Sequence, residues 1–231
     1  MAEVSARMRW PRAVVFDLDG TLIDSAGDIA DILNEALAEA GLPPFDEPTV
    51  TTMIGAGARV LVERALLRLD RAGDIALADR LHAHFIRRYA EIGAGRSRVF
   101  PGGRELLSHL AGAGARLAIC TNKPAAVTIR VLDELELSSW FEAVVGETPA
   151  LPRKPDPAML LAALDWLDAD PSDAVMIGDS AADITAARAA RVRSIAVSFG
   201  YTTIPPAELG ADALVAHLSE IPAVLARLSC R

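Results

Sequence analysis

Cysteine, lysine, net positive charge and long apolar runs are all scarce in this chain, and each shortage removes a class of answer. Its two cysteines, Cys120 and Cys230, lie far apart and form no metal-ligand spacing, which excludes a disulfide scaffold or zinc module and indicates a reducing compartment. Cys120 closes the apolar run Leu117, Ala118, Ile119, the setting of a small buried residue rather than of a nucleophile. With 31 acidic against 23 basic side chains the formal charge is −8, which repels a polyphosphate backbone and counts against nucleic acid as a partner. A cationic metal suits that balance better.

No apolar run approaches the length of a membrane span, and the first twelve residues lack the apolar stretch of a secretory signal. Arg7, Arg9 and Arg12 are too few, and Glu3 too close, for a transit peptide, so this segment reads as a solvated tail and the chain as cytoplasmic, with no membrane partner. Lysine is the sharpest shortage. Of 23 basic residues only Lys123 and Lys154 are lysines, and a compact ammonium does things that a planar guanidinium cannot.

What is present is a globular composition: 231 residues, 52% hydrophobic and 23% charged, enough for one large domain or for one domain carrying a smaller insert. Ala13 to Phe16 is a short β-branched run leading straight into Asp17, and similar runs recur at Leu117 to Cys120, Ala174 to Ile177 and Ser194 to Val197, with a weaker one at Ala213 to Val215. Helical periodicity lies between them, at Glu105 to Leu110, Ala125 to Leu135, Pro157 to Leu167 and Ala181 to Ala190. Alternation of fully apolar strands with helices predicts an α/β fold, a doubly wound, Rossmann-like parallel sheet covered on both faces, whose functional groups sit beyond the carboxyl ends of the strands.

Residues 25 to 96 break the alternation. They offer no convincing strand, while Ile29, Ile32, Leu33, Ala36 and Leu37 form one helical stripe, Val60, Leu61, Ala65 and Leu69 a second, and Leu77, Leu81, Phe85 and Ile86 a third. The expected organisation is a core of residues 1–24 and 97–231 with an all-helical cap, 25–96, inserted after the first strand. Asp24 to Gly27 is the expected outgoing hinge; Gly93, Gly95 and the Ser97 to Pro101 turn form the return. There is no internal repeat and no low-complexity tract.

Asp17-Leu18-Asp19-Gly20-Thr21 places two carboxylates two residues apart where a buried strand ends, followed by a glycine that lets the backbone approach a ligand. A single acid there would pass for a helix cap; two are hard to explain that way. This segment resembles the first motif of the haloacid dehalogenase superfamily, and the other motifs follow in order: Thr121-Asn122 after the second strand, Lys154 in Arg153-Lys154-Pro155-Asp156-Pro157, and Gly178-Asp179 with Asp183 after the strand ending at Ile177. Thr121-Asn122-Lys123-Pro124, the segment Ile54 to Leu66 and Gly200-Tyr201 further resemble the phosphoglycolate phosphatase branch. Two departures stand out: Gly146-Glu147-Thr148 where that branch often has Gly-Gly-Asp, and Arg191 where it usually has glycine.

The resemblance implies a phosphatase acting on a small phosphorylated metabolite through an aspartyl-phosphate on Asp17, with Asp19 as acid and then base. It implies Mg2+ held by the Asp17 carboxylate, the Asp19 main-chain carbonyl and the Asp179 carboxylate, with Asp183 orienting Lys154 or a metal-bound water. Thr121 and the Asn122 amide are the expected donors to the phosphoryl oxygens, and Lys154 the compact charge between Asp17 and phosphate. Lys123 has no matching role and reads as a solvated lysine before Pro124. In the cap, Gly55 and Gly57 suit a close-approaching loop, and Arg59 in the following helical turn either reaches a substrate carboxylate, as 2-phosphoglycolate requires, or is a solvated surface arginine. Sugar phosphates, nucleotides and pyrophosphate remain alternative substrates, and a sugar-phosphate mutase an alternative reaction. A phosphoacceptor signalling domain is shorter and has no helical insert, and a dehalogenase needs no acid at position 19.

Overall fold

A computed structural model describes residues 11–229; the expectations for the first ten residues and for Cys230 lie outside them. The chain begins with β1 (Ala13–Phe16) and β2 (Ile23–Asp24), then passes through α1 (Ala26–Glu39), α2 (Glu47–Thr51), α3 (Ala58–Arg68) and α4 (Ile75–Ile92) before returning at β3 (Arg98–Val99). There follow α5 (Gly103–Gly112), β4 (Arg116–Pro124), α6 (Ala125–Glu134), β5 (Ala143–Glu147), α7 (Ala158–Trp166), β6 (Ala174–Gly178), α8 (Ala181–Ala189), β7 (Arg193–Val197), β8 (Ala213–Val215) and α9 (Ile221–Leu228).

Six strands form one parallel sheet in the order β5-β4-β1-β6-β7-β8. Since β1 is fully buried and flanked by β4 on one side and β6 on the other, the direction of winding reverses beside it, and the crevice beyond its carboxyl end is where such sheets bind ligands. Alternate side chains split the core into two layers. Val14, Phe16, Ile119 and Ile177 face α5, α6 and α9, whereas Val15, Ala118, Cys120 and Met176 face α7 and α8. The fold is therefore a doubly wound α/β sheet carrying an all-helical insert, and no helix among the described residues is long and apolar enough to cross a membrane.

Several local expectations need correction. The second strand does not stop at Cys120: β4 continues to Pro124, with its register against β5 broken between Cys120 and Pro124, so Thr121 and Asn122 sit within an irregular strand end. The outgoing hinge was expected to reach Gly27, but α1 already starts at Ala26, and the two crossing chains are pinned as an antiparallel ladder, Ile23 opposite Val99 and Asp24 opposite Arg98. Asp28 reinforces it, accepting from Arg96 N at 2.7 Å and Ser97 N at 2.8 Å. On α3 the buried face is Leu61, Val62, Ala65 and Leu66 rather than the stripe through Val60 and Leu69, because Val62 and Leu66 turn inward. Arg191, one of the two departures noted in the sequence, takes φ 59°, a left-handed conformation that glycine adopts without strain.

Candidate active site

Asp17 follows the last residue of β1, Asp179 the last of β6, and Thr121 and Asn122 lie in the frayed end of β4, so three adjacent strands deliver their functional groups to one crevice. Asp17, Asp179 and Asp183 are all buried, and a carboxylate oxygen from each lies within 4.8 Å of the others. One ammonium serves this cluster. Lys154 Nζ donates to Asp17 Oδ1 at 2.9 Å, to Asp183 Oδ1 at 2.6 Å and to the Cys120 carbonyl at 2.5 Å.

Three buried carboxylates against one cation leave an excess of negative charge. Burial pushes the Asp17 carboxyl up to about 6, an effect that Asp183 adds to and Lys154 only partly offsets. Burial, with Asp183 and Asp17 alongside, pushes Asp179 well above the usual carboxylate range. Lys154 is raised as well, which for a lysine favours the charged form: burial disfavours its ammonium, but Asp17 and Asp183 together outweigh that. Such a donor set, hard oxygens with uncompensated charge, fits a divalent cation.

Asp183 uses both oxygens within the protein. While Oδ1 takes Lys154, Oδ2 accepts from Ser180 N at 3.0 Å and Ser180 Oγ at 2.6 Å, forming the capping box that starts α8. Asp179 is held differently, by Thr21 Oγ1 at 3.2 Å and by the Tyr201 main-chain N–H at 2.6 Å. Gly20 is required here: at φ 83°, a Cβ on it would lie 2.6 Å from Asp179 Oδ2 and 2.9 Å from the Tyr201 ring.

The Asn122 carboxamide is engaged within the protein. Its Oδ1 accepts from Lys154 N at 3.0 Å, and its Nδ2 donates to the Lys154 carbonyl at 3.0 Å and the Gly55 carbonyl at 3.2 Å. Asn122 thereby positions the lysine loop and ties the helical insert to the sheet. Thr121 and Asn122 still line a cavity of about 50 Å³ with Asp17 and Asp19, roofed by Gly55, Gly57, Ile54, Leu61 and Phe85 from the insert. Arg59 is absent from it. Its guanidinium is engaged by Glu63, at 2.7 Å, and by Asp79, both within the insert.

Lys123 departs from the solvated lysine expected before Pro124. Far from solvated, its side chain is 1% exposed, and its Nζ donates to Asp19 Oδ1 at 2.7 Å, to Oδ2 at 3.0 Å and to the Tyr89 hydroxyl. Asp19 also accepts from Ser25 Oγ at 2.6 Å. Ser25 had no signal in the sequence, since it acts through a contact set by the fold. Lys123 had one, in the scarcity of lysine. Cys120 is buried as expected, with burial raising its thiol to about 12, and takes part only through its carbonyl.

Asp17 after the first strand of a doubly wound sheet, buried Lys154 bonded to it and Asp179 with Asp183 after a later strand thus meet in one crevice. The sequence model of the haloacid dehalogenase-like hydrolases matches residues 14–197, and the chain belongs to that family. It is 44% identical over 209 residues to a phosphoglycolate phosphatase of Rhodospirillum rubrum, covering 88% of this chain and 86% of the relative. A phosphoglycolate phosphatase of Caulobacter vibrioides is 43% identical over 209 residues, 90% of this chain and 88% of its own. Among solved structures, a predicted phosphoglycolate phosphatase from Haemophilus somnus superposes with a TM-score of 0.85 at 30% identity, covering 92% of this chain and 97% of that one.

Proposed function

We propose that the chain is a magnesium-dependent phosphatase hydrolysing a small phosphomonoester, 2-phosphoglycolate above all, through an aspartyl-phosphate on Asp17. The observation that carries this reading is the buried cluster of Asp17, Asp179 and Asp183 around the single ammonium of Lys154, with Asp19 two residues from the nucleophile and opening on the same small cavity. The names of the relatives support the substrate.

Asp17, Asp179 and the Asp19 main-chain carbonyl would hold the metal, which when bound offsets the repulsion between carboxylate and phosphoryl group and polarises the phosphoryl oxygens. Lys154 holds Asp17 Oδ1, which leaves Oδ2 for attack on phosphorus. In the first step a bond forms from that oxygen to phosphorus, the ester bond breaks, and Asp19 gives a proton to the leaving oxygen. In the second, Asp19 takes a proton from water as the water attacks phosphorus, and the Asp17 carboxylate departs, releasing phosphate. Residues 25–96 act as the cap, closing over the phosphoryl site and excluding bulk water.

Phosphate release from a panel of phosphomonoesters, with magnesium and with a chelator, tests this. Magnesium-dependent turnover that favours 2-phosphoglycolate is expected. A strong preference for a sugar phosphate, nucleotide or pyrophosphate would replace the substrate, and absence of turnover on every ester would reject the activity.

A further inference from the structure

Lys123 is buried and charged, yet neither attacks, nor holds Asp17, nor joins the carboxylate cluster. It lines the cavity together with both partners of its ammonium, Asp19 and Tyr89, and among the described residues lining that space it is the only cationic one. Ile29, Ile54, Leu61 and Phe85 make the opposite wall apolar. An ammonium in such a place requires an anion, and without substrate Asp19 supplies it, at 2.7 and 3.0 Å.

Proton transfer from Asp19 places the scissile ester oxygen within hydrogen-bonding distance of the Asp19 carboxyl, about 3 Å away. In a phosphorylated α-hydroxy acid the carboxyl carbon lies only two bonds of about 1.5 Å beyond that oxygen. The carboxylate of such a substrate therefore falls in the space that surrounds Asp19, which Lys123 Nζ already occupies from the side of Tyr89. An ammonium has several N–H donors, so it can keep a bond to Asp19 while taking on a second carboxylate. Arg59, which the sequence offered either for this task or as a surface arginine, does not line the cavity and is paired with Glu63 and Asp79.

We propose that Lys123 is the specificity-determining residue, pairing with a carboxylate carried one carbon beyond the scissile ester oxygen. This rests on the phosphatase reading above and deepens it. An anionic leaving group gains a charge-assisted partner in a dry site, a neutral one of the same size gains none, and a cationic one is repelled.

Three esters of nearly equal size test it: 2-phosphoglycolate, ethyl phosphate and phosphoethanolamine, with wild type and Lys123→Gln. For wild type, kcat/KM is expected to fall in that order. In Lys123→Gln the preference for phosphoglycolate over ethyl phosphate should drop about 10- to 100-fold, chiefly through a higher KM for phosphoglycolate, the loss expected for one hydrogen bond to a charged group. Turnover of ethyl phosphate should fall by a smaller factor, which also reports that the variant is folded. Equal losses on both esters with KM unchanged would overturn the proposal and make Lys123 a positioning residue for Asp19. If Lys123→Gln shows no cooperative unfolding transition, the wild-type series decides: a graded order supports the proposal, and equal kcat/KM for the three esters overturns it. Absence of phosphoglycolate turnover in wild type alongside hydrolysis of the other two would overturn the substrate reading itself, whereas an unmoved preference in Lys123→Gln overturns only the role of Lys123.

Discussion

Tyr201 and Asp179 are joined through the main chain, the Tyr201 N–H donating to Asp179 Oδ2 at 2.6 Å, while the phenol of the same tyrosine reaches the start of the helical insert. Its hydroxyl accepts from Ser25 N at 2.7 Å and Ala26 N at 3.0 Å, and donates to Asp24 Oδ1 at 2.7 Å. Tyr201 in effect caps α1, because Ser25, the residue at the N-cap, has turned its own hydroxyl to Asp19. Tyr201→Phe keeps the main-chain bond to Asp179 but strands buried N–H groups at the hinge. It should lower the unfolding free energy by about 1–3 kcal/mol in urea denaturation. Magnesium affinity, measured by titration calorimetry, should stay within about twofold, since the metal-side contact is unchanged.

The carboxylate cluster links stability to pH. Asp17 is pushed from its ordinary 3.8 to about 6, so the folded state binds its proton more tightly than the unfolded chain does. The stability from that proton is fully present below 3.8 and is lost as pH rises through about 6, a loss that a bound cation reverses. Asp179, shifted in the same direction, adds to it. Magnesium should accordingly raise the Tm more at about pH 7.5 than at about pH 5. Equal shifts at the two pH values would place the cation elsewhere.

Lys154 should not be replaceable by arginine. Its three acceptors, Asp17, Asp183 and the Cys120 carbonyl, surround a point charge in a fully buried site, and a planar fork cannot satisfy them without moving Asp17. A displacement of about 1 Å at the nucleophile costs on the order of 100-fold, so Lys154→Arg should lose at least that much kcat/KM. Retention of most activity would show that charge alone matters.

Arg59→Ala should leave KM for 2-phosphoglycolate within about twofold of wild type and stability within about 1 kcal/mol, because Arg59 does not line the cavity and its partners Glu63 and Asp79 are solvent-exposed. A large rise in KM for this ester alone would return the carboxylate contact to Arg59.

Much of the fold was legible because its signals are local. The apolar runs at Ala13 to Phe16 and Ala174 to Ile177 lead within two residues to Asp17 and Asp179, so strand and site were read from the same few residues. β5 escaped notice because it is an edge strand whose Val144 and Val145 are only half-buried, and β2 and β3 because two residues carry no periodicity. The environment of Lys123 was illegible for a different reason. Its partners Asp19 and Tyr89 lie 104 and 34 positions away, and only the fold brings them together. Both tyrosines of the chain, Tyr89 and Tyr201, turn out to contact residues of the candidate site, a scarcity signal like that of lysine.

The covalent mechanism requires a phosphoryl group carried by Asp17. Acid quenching of the enzyme during turnover of 2-phosphoglycolate, followed by peptide mass spectrometry, should find phosphate on the peptide containing Asp17. That species should react with hydroxylamine, as an acyl phosphate does, and be missing from Asp17→Asn, which should release no phosphate even with magnesium in excess. Phosphate release at a near-normal rate by Asp17→Asn, with no labelled peptide at any quench time in either protein, would contradict the covalent mechanism and the central place given to Asp17.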